Sequence, residues 1–245
     1  MWEANLWSHP QKQVGLERNR CLSHIIVNTF EDACQIVEQL GILPLSSFIP
    51  DHPSLDSITL PGAWHTGTDT DPWLWRDRFA TEGIAAYGRF LGDRPLLISR
   101  QVFPLVSRLL APPETLEERY AAGVLAKPTL RIYDCIREND GIDVRTLRML
   151  TGMQRPSDKS AFDRSLTDLQ NTADIVISGI SERLNDQGKK SGWNSTCYML
   201  AARWMERHMI THTPFTPEEA KKKLYAWIEQ HWEESAVRYF KRKVG

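Results

Sequence analysis

The chain has 245 residues, of which 41% are hydrophobic and 25% charged, with a net charge of -1 and a pI near 6.7. That composition excludes a bulk-basic nucleic-acid binder and a chain too polar to form a core, so any contact with DNA has to be local. The length exceeds one small helix-and-ribbon module and allows two domains.

The four cysteines, Cys21, Cys34, Cys135 and Cys197, are far apart and form no CxxC pair, which reads as reduced thiols in a cytoplasmic protein. No apolar run approaches eighteen residues and no signal-type leader is present, so a soluble chain with no membrane association is expected. No glycine-rich phosphate loop or nucleophile elbow occurs, and neither a nucleotide cofactor nor a metal is expected. His208 and His212 have i, i+4 spacing but lack a third ligand type nearby.

Residues 1–28 read as irregular, and Trp7 to Gln11 matches half of a streptavidin-affinity tag without the following Phe-Glu. Thr29 and Asp32 then open a helix through Phe30, Ala33, Val37 and Leu40 that ends at Gly41. Four prolines between Leu43 and Gly62 predict a connection hugging the surface. Three tryptophans follow, Trp64, Trp73 and Trp75, beside His65, Asp69, Asp71 and Arg76. Such a cluster stacks on bases or sugars, or simply anchors a core. His65, Asp69 and Asp71 are weak candidates for acid-base work or a metal, although a turn capped by Asp accounts for them equally well. Ile84 to Ser99 reads as a hairpin turning at Gly92-Asp93, with Ser99 capping a helix through Leu110 and Pro112-Pro113 stopping it. Glu114 to Val124 reads as a polar helix or linker.

From Pro128 the order is clearest. Ile132, Tyr133 and Ile136 mark a first helix, Asp143 caps a second, and Ser157 caps a third through Phe162, Leu166 and Leu169. Ile175, Val176 and Ile177 begin a strand, residues 181–192 form a polar loop, and Trp193 to Leu200 return. Helix, turn-helix, helix and ribbon is winged-helix order. A helix follows over 203–209, and Thr216-Pro217-Glu218-Glu219 is a strong start for another. The predicted fold is therefore α+β and mostly α, with tandem winged-helix modules. The expected divisions are an N-terminal segment (1–28), an N-terminal α+β domain (29–111), a linker (112–127), a winged helix (128–209) and a C-terminal helical segment (210–245).

Three stretches, Trp75-Arg76-Asp77, Tyr87 to Pro95 and Phe162 to Gly179, together resemble the AlkZ-related group of bacterial proteins. The resemblance implies kinship with winged-helix DNA glycosylases that excise alkylated bases and unhook crosslinks in DNA repair, and hence implies DNA as partner. It also implies a catalytic Gln, apolar residue, then Gln or Asp, after an early helix. At that place this chain has Ile42-Leu43-Pro44-Leu45, and Gln11-Lys12-Gln13 precedes the helix. A water attacking a glycosidic bond needs a carboxylate or amide acceptor, so the family motif is lacking there.

The expected DNA contacts are Arg155, Lys159, Arg164, Thr167 and Asn171 on or near the third helix and Arg183, Lys189 and Lys190 in the loop. Between Ser157 and Asn171, Lys159 and Arg164 face Asp158, Asp163 and Asp168, a net of -1; the loop carries +1 against Glu182 and Asp186. Three functions fit the sequence: a double-stranded DNA binder without the family catalysis, an active glycosylase with a replacement residue such as Asp69 or Asp71, and a regulatory module that binds a protein partner.

Overall fold

The computed structural model describes residues 25–92, 94–182, 187, 191–192, 194–211 and 214–244. The tag-like stretch, the Gln11-Lys12-Gln13 triplet, His212 and the loop cations Arg183, Lys189 and Lys190 lie outside the described residues.

The first half opens with α1 (Phe30–Leu40), capped by the Thr29 hydroxyl, which accepts the Asp32 N–H. Its inward stripe is Phe30, Ala33, Ile36, Val37 and Leu40. Gly41 ends it at φ 76°, a left-handed turn that glycine adopts without a Cβ penalty. Strand β1 (Ile42–Pro44) follows, and a long connection containing a 3-10 turn (Pro61–Ala63) leads to α2 (Pro72–Thr81). A hairpin, β2 (Ala85–Gly88) and β3 (Leu96–Ser99), completes this half. Helix α3 (Phe103–Leu110) starts later than Ser99 predicts, with Val102 at its N-cap, because Ser99 is a fully buried end of β3. Helix α4 (Leu116–Ala121) is fixed by a Thr115/Glu118 capping box.

The second half repeats much of that order. Helix α5 (Lys127–Glu138) has Pro128 in its first turn, where the missing N–H costs nothing. Then come β4 (Ile142–Asp143), α6 (Val144–Leu150) capped by Asp143, α7 (Lys159–Asn171), and the ribbon β5 (Ile175–Ser181) and β6 (Ser195–Leu200). Helices α8 (Ala201–Arg207), α9 (Pro217–His231) and α10 (Glu234–Val244) close the chain, α9 with the Thr216/Glu219 capping box its sequence predicts.

The result is a mixed α/β fold on one six-stranded antiparallel sheet, ordered β1-β3-β2-β5-β6-β4. In each half the short first strand pairs with the last, β1 with β3 and β4 with β6. The halves join through Tyr87 opposite Ile177. Side chains reinforce that seam: Gln170 Oε1 accepts the Arg89 N–H at 3.1 Å, Asn171 Oδ1 accepts the Gly92 N–H at 2.8 Å, and the Trp204 indole donates to the Ala80 carbonyl at 2.8 Å. The C-terminal helices return to the first half, where the Trp232 indole donates to the Leu40 carbonyl at 2.7 Å and α9 packs on α3. One contiguous apolar core, from Val27 to Phe240, runs through both halves.

Candidate nucleic-acid interface

Where the two halves meet, the sheet carries a cleft of about 1060 Å³. Its floor is sheet: Tyr87, Ile177, Thr196 and Tyr198. One wall is α7, presenting Asp163, Leu166, Thr167 and Gln170 at i, i+3, i+4 and i+7. Trp73 and Arg76 of α2 stand on another side with Trp64 and Arg89, and the connection after β1 adds Leu45, Ser46, Ser47, Asp56 and Ser57. Residues from all three stretches that carry the sequence resemblance therefore converge on one place: Arg76 from the first, Tyr87, Arg89 and Pro95 from the second, and Asp163 through Ile177 from the third.

Arg76 is the most constrained of the charged groups. Its guanidinium carbon lies 3.3 Å from the centroid of the Trp73 ring, a close cation-π stack. Its Nε is buried and 3.4 Å from Asp77 Oδ2, without the alignment of a hydrogen bond. Asp77 is itself buried, which raises its carboxyl above the usual range while the Arg76 charge works against that rise. Burial likewise raises the Tyr87 phenol.

The acid-base candidates of the tryptophan segment build the start of α2 rather than the cleft lining. Asp71 is the N-cap and is 1% exposed; its two oxygens accept the N–H groups of His65, Gly67 and Trp73 at 2.9–3.0 Å. Burial alone would raise this carboxyl, but the three N–H donors outweigh it and hold it below the ordinary range. Asp69 is exposed, and its carbonyl accepts the Trp75 indole N–H at 2.7 Å. His65 sits at φ 61°, its ring 4.7 Å from that of Trp73. The two tryptophans divide the readings offered for them: Trp75 is a core anchor at 1% exposure, while Trp73 is 39% exposed at the cleft.

On the predicted reading helix, Thr167 lines the cleft and donates to the Asp163 carbonyl at 3.0 Å. Asn171 is engaged with Gly92 across the seam. Arg155, Lys159 and Arg164 are exposed at or near the N-terminal half of α7, and Lys159 pairs with Asp163 at 2.7 Å. Asp56, Ser46 and Ser47 are additions from structure: their proline-rich segment carries no local chemical signature, and only its return beside β1 brings them to the cleft. That return is a pair of backbone bonds, Leu55 N–H to the Pro44 carbonyl at 2.8 Å and Asp56 N–H to the Leu45 carbonyl at 3.1 Å. Among the described residues no group of three or more His, Cys, Asp or Glu could hold a metal ion, and no helix is long and apolar enough to cross a membrane.

Fold and cleft together define an α/β protein of two fused helix-and-hairpin halves, with an aromatic and guanidinium-bearing cleft at their seam. The chain belongs to the AlkZ-related family, whose model, described as AlkZ related, matches residues 27–245. No match is found among curated proteins or among solved structures.

Proposed function

We propose that this chain binds double-stranded DNA through two winged-helix units and is related to the glycosylases that excise alkylated or crosslinked bases, without their Gln-based motif. The units are residues 29–111 and 128–209, joined by 112–127 and followed by the helices of 210–245. The convergence of the three resemblance stretches on the seam cleft carries this reading. It is supported by the parallel order of the halves, in which a helix, a short strand, a further helix and a hairpin recur, with the short strand pairing to the hairpin's second strand.

Arg155, Lys159 and Arg164 line the approach along α7, and Arg183, Lys189 and Lys190 supply the loop that grips phosphate. The place of the family's catalytic motif is β1, whose Ile42, Leu43 and Pro44 are buried and offer no group to activate water. DNA binding without that chemistry is therefore the primary reading.

The test is fluorescence anisotropy of a labelled duplex across a salt series, for the wild type, Arg164→Glu and Lys189→Glu/Lys190→Glu. Each phosphate contact contributes about -0.9 to the slope of log K against log salt. The loop double variant is expected to lose about two units of slope, and Arg164→Glu about one, with unchanged folding. Absence of duplex binding by the wild type at low salt would overturn the proposal.

A further inference from the structure

The seam cleft carries chemistry for more than a phosphate backbone. Arg76 is fixed flat against Trp73, so the indole covers one face of its guanidinium. A guanidinium held this way retains a second face for a flat π system. Trp64 is also held in place, its indole donating to the Thr59 hydroxyl at 2.9 Å. Arg89, exposed at the same cleft, has no ion-pair partner among the described residues. Aromatic walls with two arginines suit a planar ring that carries a negative group.

Three lining side chains could read the edge of such a ring, and two are already committed. Gln170 accepts the Arg89 N–H through Oε1 and donates Nε2 to the Leu166 carbonyl at 2.8 Å. Asp163 has its charge offset by Lys159, which donates to its Oδ2. Asp56 differs: it is exposed, has no ion-pair partner among the described residues, and is oriented by Ser54 Oγ, which donates to its Oδ1. Its support is rigid, since Ser54 is fully buried and its Oγ lies 2.8 Å from Ser47 Oγ. The remaining lining hydroxyls donate or accept equally and do not discriminate.

We propose that the cleft binds one nucleotide unit, a base with its phosphate, and that Asp56 selects bases by the N–H donors on their Watson–Crick edge. Arg76 stacks on the ring and Arg89 takes the phosphate. An ionised carboxylate only accepts hydrogen bonds. Guanine presents adjacent N–H donors that a carboxylate can engage in pairs, whereas thymine places carbonyl acceptors on both sides of its single N–H. The same chemistry is offered by a free mononucleotide and by a nucleotide drawn out of a strand; the second source alone rests on the DNA-binding reading above.

The experiment titrates the full chain with dGMP, dAMP, dCMP, dTMP and deoxyguanosine, and with short single strands TTGTT and TTTTT, following tryptophan fluorescence and calorimetry. dGMP, TTGTT or both are expected to bind more tightly than their thymine counterparts by at least about fivefold, the low end for one bidentate contact. Asp56→Asn should abolish that gap with unchanged thermal stability; Asp56→Ser, with a smaller side chain, checks the result if the first variant is unstable. Binding of free dGMP identifies a mononucleotide site, with deoxyguanosine expected to bind more weakly; binding of TTGTT alone identifies a strand-borne nucleotide. Equal affinities for guanine and thymine ligands, a gap that survives both substitutions, or no saturable binding of any ligand overturns the proposal. Duplex binding measured in parallel separates that failure from failure of the DNA-binding reading.

Discussion

His52 ties acid sensitivity to one joint of the fold. The residue is 8% exposed; its Nε2 lies 2.9 Å from the Ile42 carbonyl oxygen, and its ring centroid is 4.2 Å from that of Trp232. The carbonyl needs a donor, so the neutral ring carries its proton on Nε2. Burial drives the imidazole pKa down from 6.5 to about 4, the carbonyl bond only partly opposing the fall. Because the folded pKa lies below the unfolded one, the unfolded chain takes up the proton first as pH drops. The contribution to stability is complete above about 6.5, is lost as pH falls from there to about 4, and does not change further below. A difference of about 2.5 units at about 1.4 kcal/mol each gives roughly 3 kcal/mol. Urea unfolding at pH 7.5, 5.5 and 4.5, for the wild type and His52→Gln, isolates the effect, since the carboxylates titrate alike in both. The variant keeps an N–H donor but loses the ring, so it starts less stable, and the gap should close by about 2.5 kcal/mol at pH 4.5, most of the full effect. A gap that stays constant from pH 7.5 to 4.5 would refute the reasoning.

Two further substitutions probe the packing that holds the halves. Gly41→Ala places a Cβ 2.6 Å from the Trp227 indole nitrogen and 2.8 Å from Val102 Cγ2, at φ 76°; left-handed backbone and overpacking together should cost about 2–5 kcal/mol in denaturant unfolding. Asp174→Ala removes the partner of Arg119, whose Nη2 donates to both Asp174 oxygens at 3.0 and 2.9 Å while its Nε and Nη1 are buried without partners. Leaving that charge uncompensated should cost about 3–5 kcal/mol, and Arg119→Met with Asp174→Leu should recover most of it.

Local signals carried far in this sequence. Thr29, Asp143 and Thr216 each marked a helix start that the structure contains, and the spacing of Phe162, Leu166 and Leu169 marked the inward face of α7. The β-branched run Ile175 to Ile177 and the hairpin around Gly92 are also present as strands. The site was less legible because it is made by pairing between distant segments. Nothing in the proline-rich connection indicates that Leu55 and Asp56 return beside Pro44 and Leu45, and nothing local tells that Tyr87 pairs with Ile177. Helical periodicity likewise identified the outer residues of α7 but not their uses: Thr167 faces the cleft and Asn171 is bonded to Gly92. Of the cleft's arginines, Arg89 was visible only as part of a resemblance, whereas Arg76 stood out in the tryptophan cluster; which indole it stacks on follows from the helical i, i+3 relation to Trp73 within α2.

Photo-crosslinking to a labelled duplex tests the central claim most directly. A photoreactive side chain at Thr167, on the cleft wall, is compared with one at Met209, which is 86% exposed next to His208, the residue that packs on Gly83 just beyond the far end of α2. The account predicts crosslinks from position 167 that fade as salt rises and few from position 209. No crosslink from position 167 under conditions where the protein is folded, or equal yields from both positions, would contradict it.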